Sequence, residues 1–102
     1  MLKLLCGGAI LLALTTEAFA YRAPLPPRQY DHPYRGRLII VDVPFAEMQR
    51  RCGGGPGHCY GYTYGDMGGT CTIYVVSRDR YLIRHEVGHC NGWPGHHPGA
   101  RA

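Results

Sequence analysis

Several residue types and patterns are missing from this 102-residue sequence, and their absence excludes classes of protein. There is no lysine beyond residue 20, so the glycine-rich stretch 53–69 lacks the lysine of a phosphate-binding P-loop. No C-x-x-C pair occurs, which argues against a zinc site made of cysteines. The ten arginines beyond residue 20 are scattered singly or in pairs, without a nucleic-acid-binding motif. We therefore expect no nucleic-acid partner.

Long apolar runs are also scarce, and the one that occurs lies at the N-terminus. The run LLCGGAILLAL follows Lys3 and precedes Ala18-Phe19-Ala20, an arrangement typical of a secretory signal peptide. It is too short to span a bilayer comfortably, and no second run follows. We predict that residues 1–20 are a cleaved signal peptide. The product is then secreted or periplasmic, with no membrane association after cleavage.

Four cysteines remain beyond residue 20, in a chain short enough that a hydrophobic core alone gives marginal stability. An even cysteine count in a small exported protein predicts two disulfides, for which three pairings exist. We favour Cys52–Cys59, which closes a glycine-rich loop, and Cys71–Cys90, which ties a strand to a helix.

The rest of the chain divides into a proline-rich extension, residues 21–36, and a small domain, residues 37–102. Four prolines in the extension predict an extended linker outside the core. Composition and periodicity predict strands at 37–43 and 70–76 and a short hairpin strand around the alternating tyrosines at 60–64.

Two helices are predicted, each with a buried stripe. The first follows Pro44 and has its stripe at Phe45, Met48 and Cys52. The second covers residues 78–90 and ends at Asn91 and Gly92. Its N-cap is predicted at Ser77 or Asp79. Its buried stripe is predicted at Ile83, Val87 and Cys90, and a cleft along Leu82, His85, Glu86 and His89.

The second helix carries the chemistry, because His85, Glu86 and His89 spell H-E-x-x-H. Positions i and i+4 lie on one helix face, so both imidazoles can reach a single ion. Zinc binds neutral imidazole nitrogen and, in catalytic sites, keeps one position open for water. The Glu86 carboxylate is the candidate general base for that water. His32 and His58 lack ligand spacing and are predicted to be exposed.

The stretch HEVGHCNGW resembles the H-E-x-x-H-x-x-G opening of the metzincin branch of the zincin metallopeptidases, with His85, Glu86, His89 and Gly92 matching. The resemblance covers residues 71–97. It implies a Zn²⁺ cofactor and a peptide or protein substrate. It also implies that an edge strand before the helix, here Cys71 to Val76, pairs with the extended substrate.

The sequence departs from the metzincin pattern at the third metal ligand. The family's third histidine falls on Gly95, and no methionine follows the motif. No acidic residue follows Glu86, so the third ligand is expected to be His96, His97 or an upstream Asp66 or Asp79. We favour His97, because Pro98 after it is expected to hold it in extended geometry. His96 stays as the alternative.

Together these patterns predict a small single α+β domain, in which a short sheet packs on the H-E-x-x-H helix and disulfides staple the fold. The predicted function is zinc-dependent hydrolysis, with His85, His89 and His97 or His96 as metal ligands and Glu86 as catalytic residue. A tyrosine at 60, 62 or 64 is expected to stabilise the oxyanion. Two alternatives stay open: a non-catalytic structural zinc module and a disulfide-stapled interaction protein without metal. The sequence predicts no oligomeric state.

Overall fold

A three-stranded mixed sheet forms one layer of the protein. In the computed structural model, β1 is Arg37–Asp42, β2 is Gly61–Gly65 and β3 is Thr70–Val75. β3 lies in the centre, parallel to β1 and antiparallel to β2. The β-branched residues of β1 and β3 favour this extended conformation. The structure describes residues 22–55, 57–66 and 68–102, so the predicted signal peptide lies outside it.

The central position of β3 corrects the expectation that Cys71 to Val76 forms an edge strand. β1 and β2 pair with both of its sides, so β3 has no free backbone edge for a substrate. β2 takes the edge position instead, on the side next to the second helix. The expectation came from the resemblance, in which the substrate strand directly precedes the helix in the chain. In space, α2 contacts both β2 and β3, and among the described residues β2 is the one with an unpaired edge.

Two helices follow the predicted start and stop signals. α1 is Phe45–Arg51 and begins directly after Pro44, which lacks the N–H that a helix start leaves unpaired. α2 is Arg80–Cys90. The Asp79 carboxylate caps α2 by accepting the backbone N–H groups of residues 81 and 82, so Asp79 rather than Ser77 is the cap. Gly92, at a φ of 105°, follows the end of α2.

The first helix differs from its predicted burial stripe, whereas the second agrees with it. In α1 only Met48 is fully buried, whereas Phe45 is 44% exposed and Cys52 is exposed. In α2 the predicted stripe packs on the core, since Val87 is buried and Ile83 and Cys90 pack against the core cluster. The predicted cleft face, Leu82, His85, Glu86 and His89, lines a cavity. His85 and Glu86 are only 8% and 4% exposed.

The two predicted disulfides are confirmed. Cys52 is bonded to Cys59 across the glycine-rich loop, and Cys71 of β3 is bonded to Cys90 at the end of α2. The second bond ties the central strand to the residue after His89. The fold class, a small α+β domain with two helices and a three-stranded sheet, is likewise confirmed. Within the described ranges, no helix has the length and apolar character that crossing a membrane requires.

The proline-rich residues 22–34, here called the N-terminal segment, do not form the predicted linker. Ala23 is 2% exposed and belongs to the core cluster, and the Pro26 side chain is fully buried. The segment packs against α2 at Gly88, where an added Cβ would lie 2.7 Å from Pro26 Cγ. A glycine inside a helix is unfavourable by itself, and here it provides the space in which this segment docks.

Candidate metal centre

Three histidine side chains converge at one point beside α2. The Nε2 atom of His97 lies 3.1 Å from Nε2 of His85 and 3.1 Å from Nε2 of His89. Ligand atoms of these three residues all lie within 4.8 Å of one another. His85 and His89 come from successive turns of α2, as the i, i+4 spacing predicts. The described residues therefore contain a cluster that could hold a metal ion.

The outer nitrogens of the two helical imidazoles bond to backbone carbonyl groups. His85 Nδ1 lies 2.6 Å from the Pro24 carbonyl oxygen, and His89 Nδ1 lies 2.8 Å from that of Trp93. A carbonyl oxygen only accepts, so each Nδ1 carries the proton and each Nε2 keeps a free lone pair. This is the arrangement in which protein histidines bind metals.

The donor set fits zinc. Imidazole nitrogens about 2.0–2.1 Å from a tetrahedral zinc lie about 3.3 Å apart, close to the two 3.1 Å separations. The Nε2 lone pairs of His85 and His89 both point at His97 Nε2. Such lone pairs repel one another unless a proton or a cation lies between them. His97 Nε2 can donate a hydrogen bond to one partner at most, which leaves the other contact unsatisfied by hydrogen bonding.

The turn after α2 brings Trp93 back beneath the cluster. The Trp93 backbone N–H donates to the Gly88 carbonyl oxygen at 3.0 Å, and its indole stacks on the His89 ring at 4.7 Å. The Trp93 side chain is 2% exposed. It therefore fixes the His89 ring through both its carbonyl group and its indole face. No local pattern in the sequence indicates this role for Trp93.

His97 is the third member of the cluster, in agreement with the preference for His97 over His96 as the third ligand. His96 is exposed and lies outside the group. The backbone at His97 is nevertheless not extended as expected, because its φ is 62°, in the left-handed region. Pro98 at the next position favours extended geometry at His97, so the expectation from the sequence is wrong here. Hydrogen bonds to the Pro94 and Pro98 carbonyl oxygens, from His97 N–H and Trp93 Nε1, hold the left-handed conformation instead.

Glu86 lies in the same cavity, held by an edge-strand residue. Thr63 of β2 donates its hydroxyl to Glu86 Oε1 at 2.7 Å, with the Glu86 carbonyl oxygen at 3.0 Å as a second acceptor. At Gly61 an added Cβ would lie 3.1 Å from Glu86 Oε2 and 2.7 Å from the Tyr74 carbonyl oxygen. The glycine thus keeps β2 close to α2 without a side chain against the carboxylate.

Burial changes the proton affinities of this cluster. Desolvation raises the pKa of Glu86 to about 7, and the Thr63 hydrogen bond opposes part of that rise. Desolvation, and then the other histidines, lower the pKa values of His85 and His97, although the Pro24 carbonyl acts in the opposite direction on His85. Lowered histidine pKa values favour the neutral imidazole, which is the form that binds metal.

An open cavity of about 730 Å³ gives solvent access to the cluster. α2, Trp93 and His97 form one wall of the cavity. β2 and residues 58–60 before it form the opposite wall. The residues that bear on the chemistry are His85, Glu86, His89, His97, Gly61 and Thr63. A cluster at the wall of an open cavity has room for a substrate beside the histidines.

Other candidates from the sequence lie elsewhere or are already bonded. Asp66 Oδ1 accepts from the backbone N–H groups of residues 68 and 70, and Asp79 caps α2. Tyr62 and Tyr64 alternate with Thr63, which faces α2, so they project from the opposite side of the sheet. Tyr60 and Tyr62 both line the cavity, whereas Tyr64 does not. The Tyr62 ring stacks on Tyr74 and its hydroxyl accepts from Arg51, so Tyr60 is the candidate that stays.

His32 and His58 are exposed and outside the cluster, as predicted. Sequence reasoning missed Thr63, Trp93 and the carbonyl of Pro24. The one local signal for these contacts was Gly88, a glycine inside a helix pattern that has a packing reason.

No family model matches this sequence, and comparisons with curated proteins and with solved structures find no similar chain.

Proposed function

We propose that this protein is an exported zinc-dependent hydrolase that acts on peptide bonds. The observation that carries the proposal is the convergence of three histidine nitrogens in an open cavity that also contains the Glu86 carboxylate. Export is supported by the two disulfides, which persist in oxidising compartments. The H-E-x-x-H spacing on α2 supports the assignment of roles.

The ligands in this proposal are His85, His89 and His97. Zinc bound by their Nε2 atoms supplies an electrophile that polarises a carbonyl group and lowers the pKa of water. The Pro24 and Trp93 carbonyl groups hold the two helical rings in the ligating tautomer.

Glu86 is the proton carrier. Thr63 occupies Oε1, which leaves Oε2 on the Gly61 side to accept a proton from the attacking water. The same carboxyl group then donates this proton to the leaving amine. Thr63 thereby acts as the residue that orients the base.

A peptide substrate is supported by the edge of β2. This strand pairs with β3 on one side, and its other edge has no strand partner among residues 22–55, 57–66 and 68–102. An extended peptide can pair with such an edge through its backbone. Gly61, Thr63 and Gly65 of β2 line the cavity, so a peptide paired there passes the histidine cluster.

The open cavity favours this function over a structural zinc module. Structural zinc sites are closed by four protein ligands, whereas catalytic sites use three and an open position. The cluster has three ligands in the described part of the chain, and His97 is exposed.

The decisive experiment compares peptide-library cleavage by the zinc-loaded protein with that of Glu86→Gln. We expect the variant to bind zinc equally well and to lose about 10²- to 10⁴-fold in kcat, the range of general base catalysis. Glu47→Gln is the matched control, because this carboxylate pairs with Arg51 on α1. It should cleave like the unaltered protein. Equal cleavage by Glu86→Gln, or no cleavage by any zinc-loaded sample, contradicts the proposal.

A further inference from the structure

The third histidine lies on a segment whose contacts come largely from the other end of the chain. Residues 97–101, here called the C-terminal segment, pair with the N-terminal segment through Leu25 and Arg101. Their backbone N–H groups each donate to the other's carbonyl oxygen at 2.8 Å. The Arg101 side chain donates Nε–H to the Pro26 carbonyl oxygen at 2.8 Å and pairs with Asp31.

Asp31 joins this contact to the helix that carries the other two histidines. Its carboxylate accepts from Arg101 and from Arg84 of α2, and its side chain is 12% exposed. Asn91, at the end of α2, donates to the Tyr30 and His32 carbonyl oxygens. The N-terminal segment is thus bonded to α2 on one side and to the C-terminal segment on the other.

The conformation of His97 makes such restraint necessary. A non-glycine residue in the left-handed region costs roughly 1–2 kcal/mol, so a free segment would leave this conformation. On the N-terminal side of the bend, the His97 backbone N–H donates to the Pro94 carbonyl oxygen at 3.0 Å. On its C-terminal side, Trp93 Nε1 donates to the Pro98 carbonyl oxygen at 2.8 Å, and the Arg101 contacts with Pro26 and Asp31 restrain the same side three residues further on.

We propose that Arg101, held by Asp31 and the Pro26 carbonyl group, is the positioning residue for the third metal ligand, His97. The metal centre therefore has three histidines only while the N-terminal segment is docked on α2. The inference rests on the metal-binding part of the proposed function and is independent of peptide hydrolysis. It also assigns the proline-rich segment a role: it supplies the Pro24 acceptor for His85 and the Asp31 partner that secures His97 through Arg101.

Cobalt titration of the disulfide-bonded chain tests this role, because Co²⁺ binds such sites and its visible spectrum reports the coordination geometry. We expect Arg101→Ala to weaken Co²⁺ binding about 10- to 100-fold, the usual effect of removing a group that orients a ligand. Its spectrum should match that of His97→Ala. Arg101→Lys should recover part of the affinity, since an ammonium group replaces the charge but not the forked donor geometry.

A double-mutant cycle separates positioning from general loss of structure. If Arg101 acts through His97, Arg101→Ala has no further effect on Co²⁺ affinity in the His97→Ala background. An equal loss in both backgrounds overturns the proposal. Arg78→Ala is the matched control, since it removes an exposed arginine–aspartate pair with Asp42 away from the cluster. It should leave Co²⁺ affinity unchanged.

Folding of the variants is checked by circular dichroism, and Asp31→Asn replaces Arg101→Ala if the latter is unfolded. Unchanged Co²⁺ affinity in the folded Arg101 or Asp31 variants overturns this inference alone. If the unaltered chain does not bind Co²⁺, the proposed function is overturned and this inference with it. Peptide cleavage enters neither result, so the two proposals fail in distinguishable ways.

Discussion

Two segments of this protein contain neither α-helix nor sheet strand, and they behave in opposite ways. The N-terminal segment, rich in proline, is bonded to α2 and to the C-terminal segment. The glycine-rich loop, residues 53–58, is exposed at its described positions. At Gly53, Gly54, Gly55 and Gly57 an added Cβ would meet no described atom within 4 Å. Backbone outside the α-helices and the sheet thus contacts the histidine cluster in one place and is solvent-exposed in the other.

The difference follows from the backbone chemistry of the two residue types. Proline has no N–H, so a proline-rich segment can be buried with fewer donors to satisfy, while its carbonyl groups stay free to accept. The Pro24 and Pro26 carbonyl groups accept from His85 and Arg101 in this way. Glycine instead supplies left-handed turns, as at φ values of 86° and 67° for Gly53 and Gly54. The loop is anchored at its ends by the Cys52–Cys59 bond.

The largest effect is expected from a substitution at Gly88, where the N-terminal segment packs against α2. Gly88→Leu should lower the free energy of unfolding by about 3 kcal/mol, the upper range for overpacking, because even its Cβ overlaps Pro26. Zinc affinity should fall as well, since displacement of this segment removes the Pro24 acceptor from His85. Urea unfolding and a competitive zinc titration measure both quantities. Unchanged stability and zinc affinity would show that the segment is not docked as described.

Removing the Cys52–Cys59 disulfide, which anchors the glycine-rich loop, should lower the free energy of unfolding by a comparable amount and leave zinc affinity unchanged. The double variant Cys52→Ser/Cys59→Ser opens a short loop and should cost about 2.5 kcal/mol by the chain-entropy relation. Gln49 still bonds the backbone of Cys59 through both ends of its amide. Loss of zinc affinity in this variant would mean that the loop also supports the histidine cluster. The loop would then not differ from the N-terminal segment in this respect.

A pH-dependent effect is expected at Asp31. Its pKa is lowered from 3.8 by hydrogen bonding to Arg84, and Arg101 adds to the effect against the opposing influence of burial. A carboxyl group whose pKa is lower in the folded state stabilises the protein above its unfolded pKa. That contribution is lost as the pH falls from about 4 through the folded value.

The measurement is urea unfolding of the protein and of Asp31→Asn from pH 7 to pH 2. The unaltered protein should be the more stable at neutral pH, and the difference should shrink below about pH 4. Asp42→Asn is the control, since the Asp42–Arg78 pair is more than half exposed and should contribute less. A difference that stays constant down to pH 2 would exclude the ionised Asp31 as its source.

The smallest effect is predicted within the loop. Gly55→Ala adds a Cβ that meets no described atom within 4 Å. The φ of Gly55 is not positive, so alanine can adopt the same backbone conformation. Stability should rise by about 0.5 kcal/mol, because alanine restricts the unfolded chain more than glycine does. Thermal unfolding detects a change of this size. A clear loss of stability would show that the loop makes contacts comparable to those of the N-terminal segment.

Local sequence patterns predicted much of the fold and of the candidate site. β-branched runs predicted β1 and β3. Pro44 predicted where α1 begins, and a cap at Ser77 or Asp79 predicted the start of α2 to within two residues. The cysteine spacing favoured the observed disulfides. The i, i+4 spacing brought His85 and His89 together, and the choice of His97 rather than His96 agrees with the cluster.

The sequence by itself thus indicated most of the elements, favoured the observed cysteine pairing and set the spacing of His85 and His89 on α2, because helical period, caps and β-branched runs act within a few residues. Only the tertiary structure decided which strand forms the edge, how Thr63 meets Glu86, and that the proline-rich segment contacts the histidine cluster. Pro24 and His85 are 61 residues apart in the chain. A bond to a backbone carbonyl has no side-chain signature, and the fold alone places that oxygen beside the imidazole.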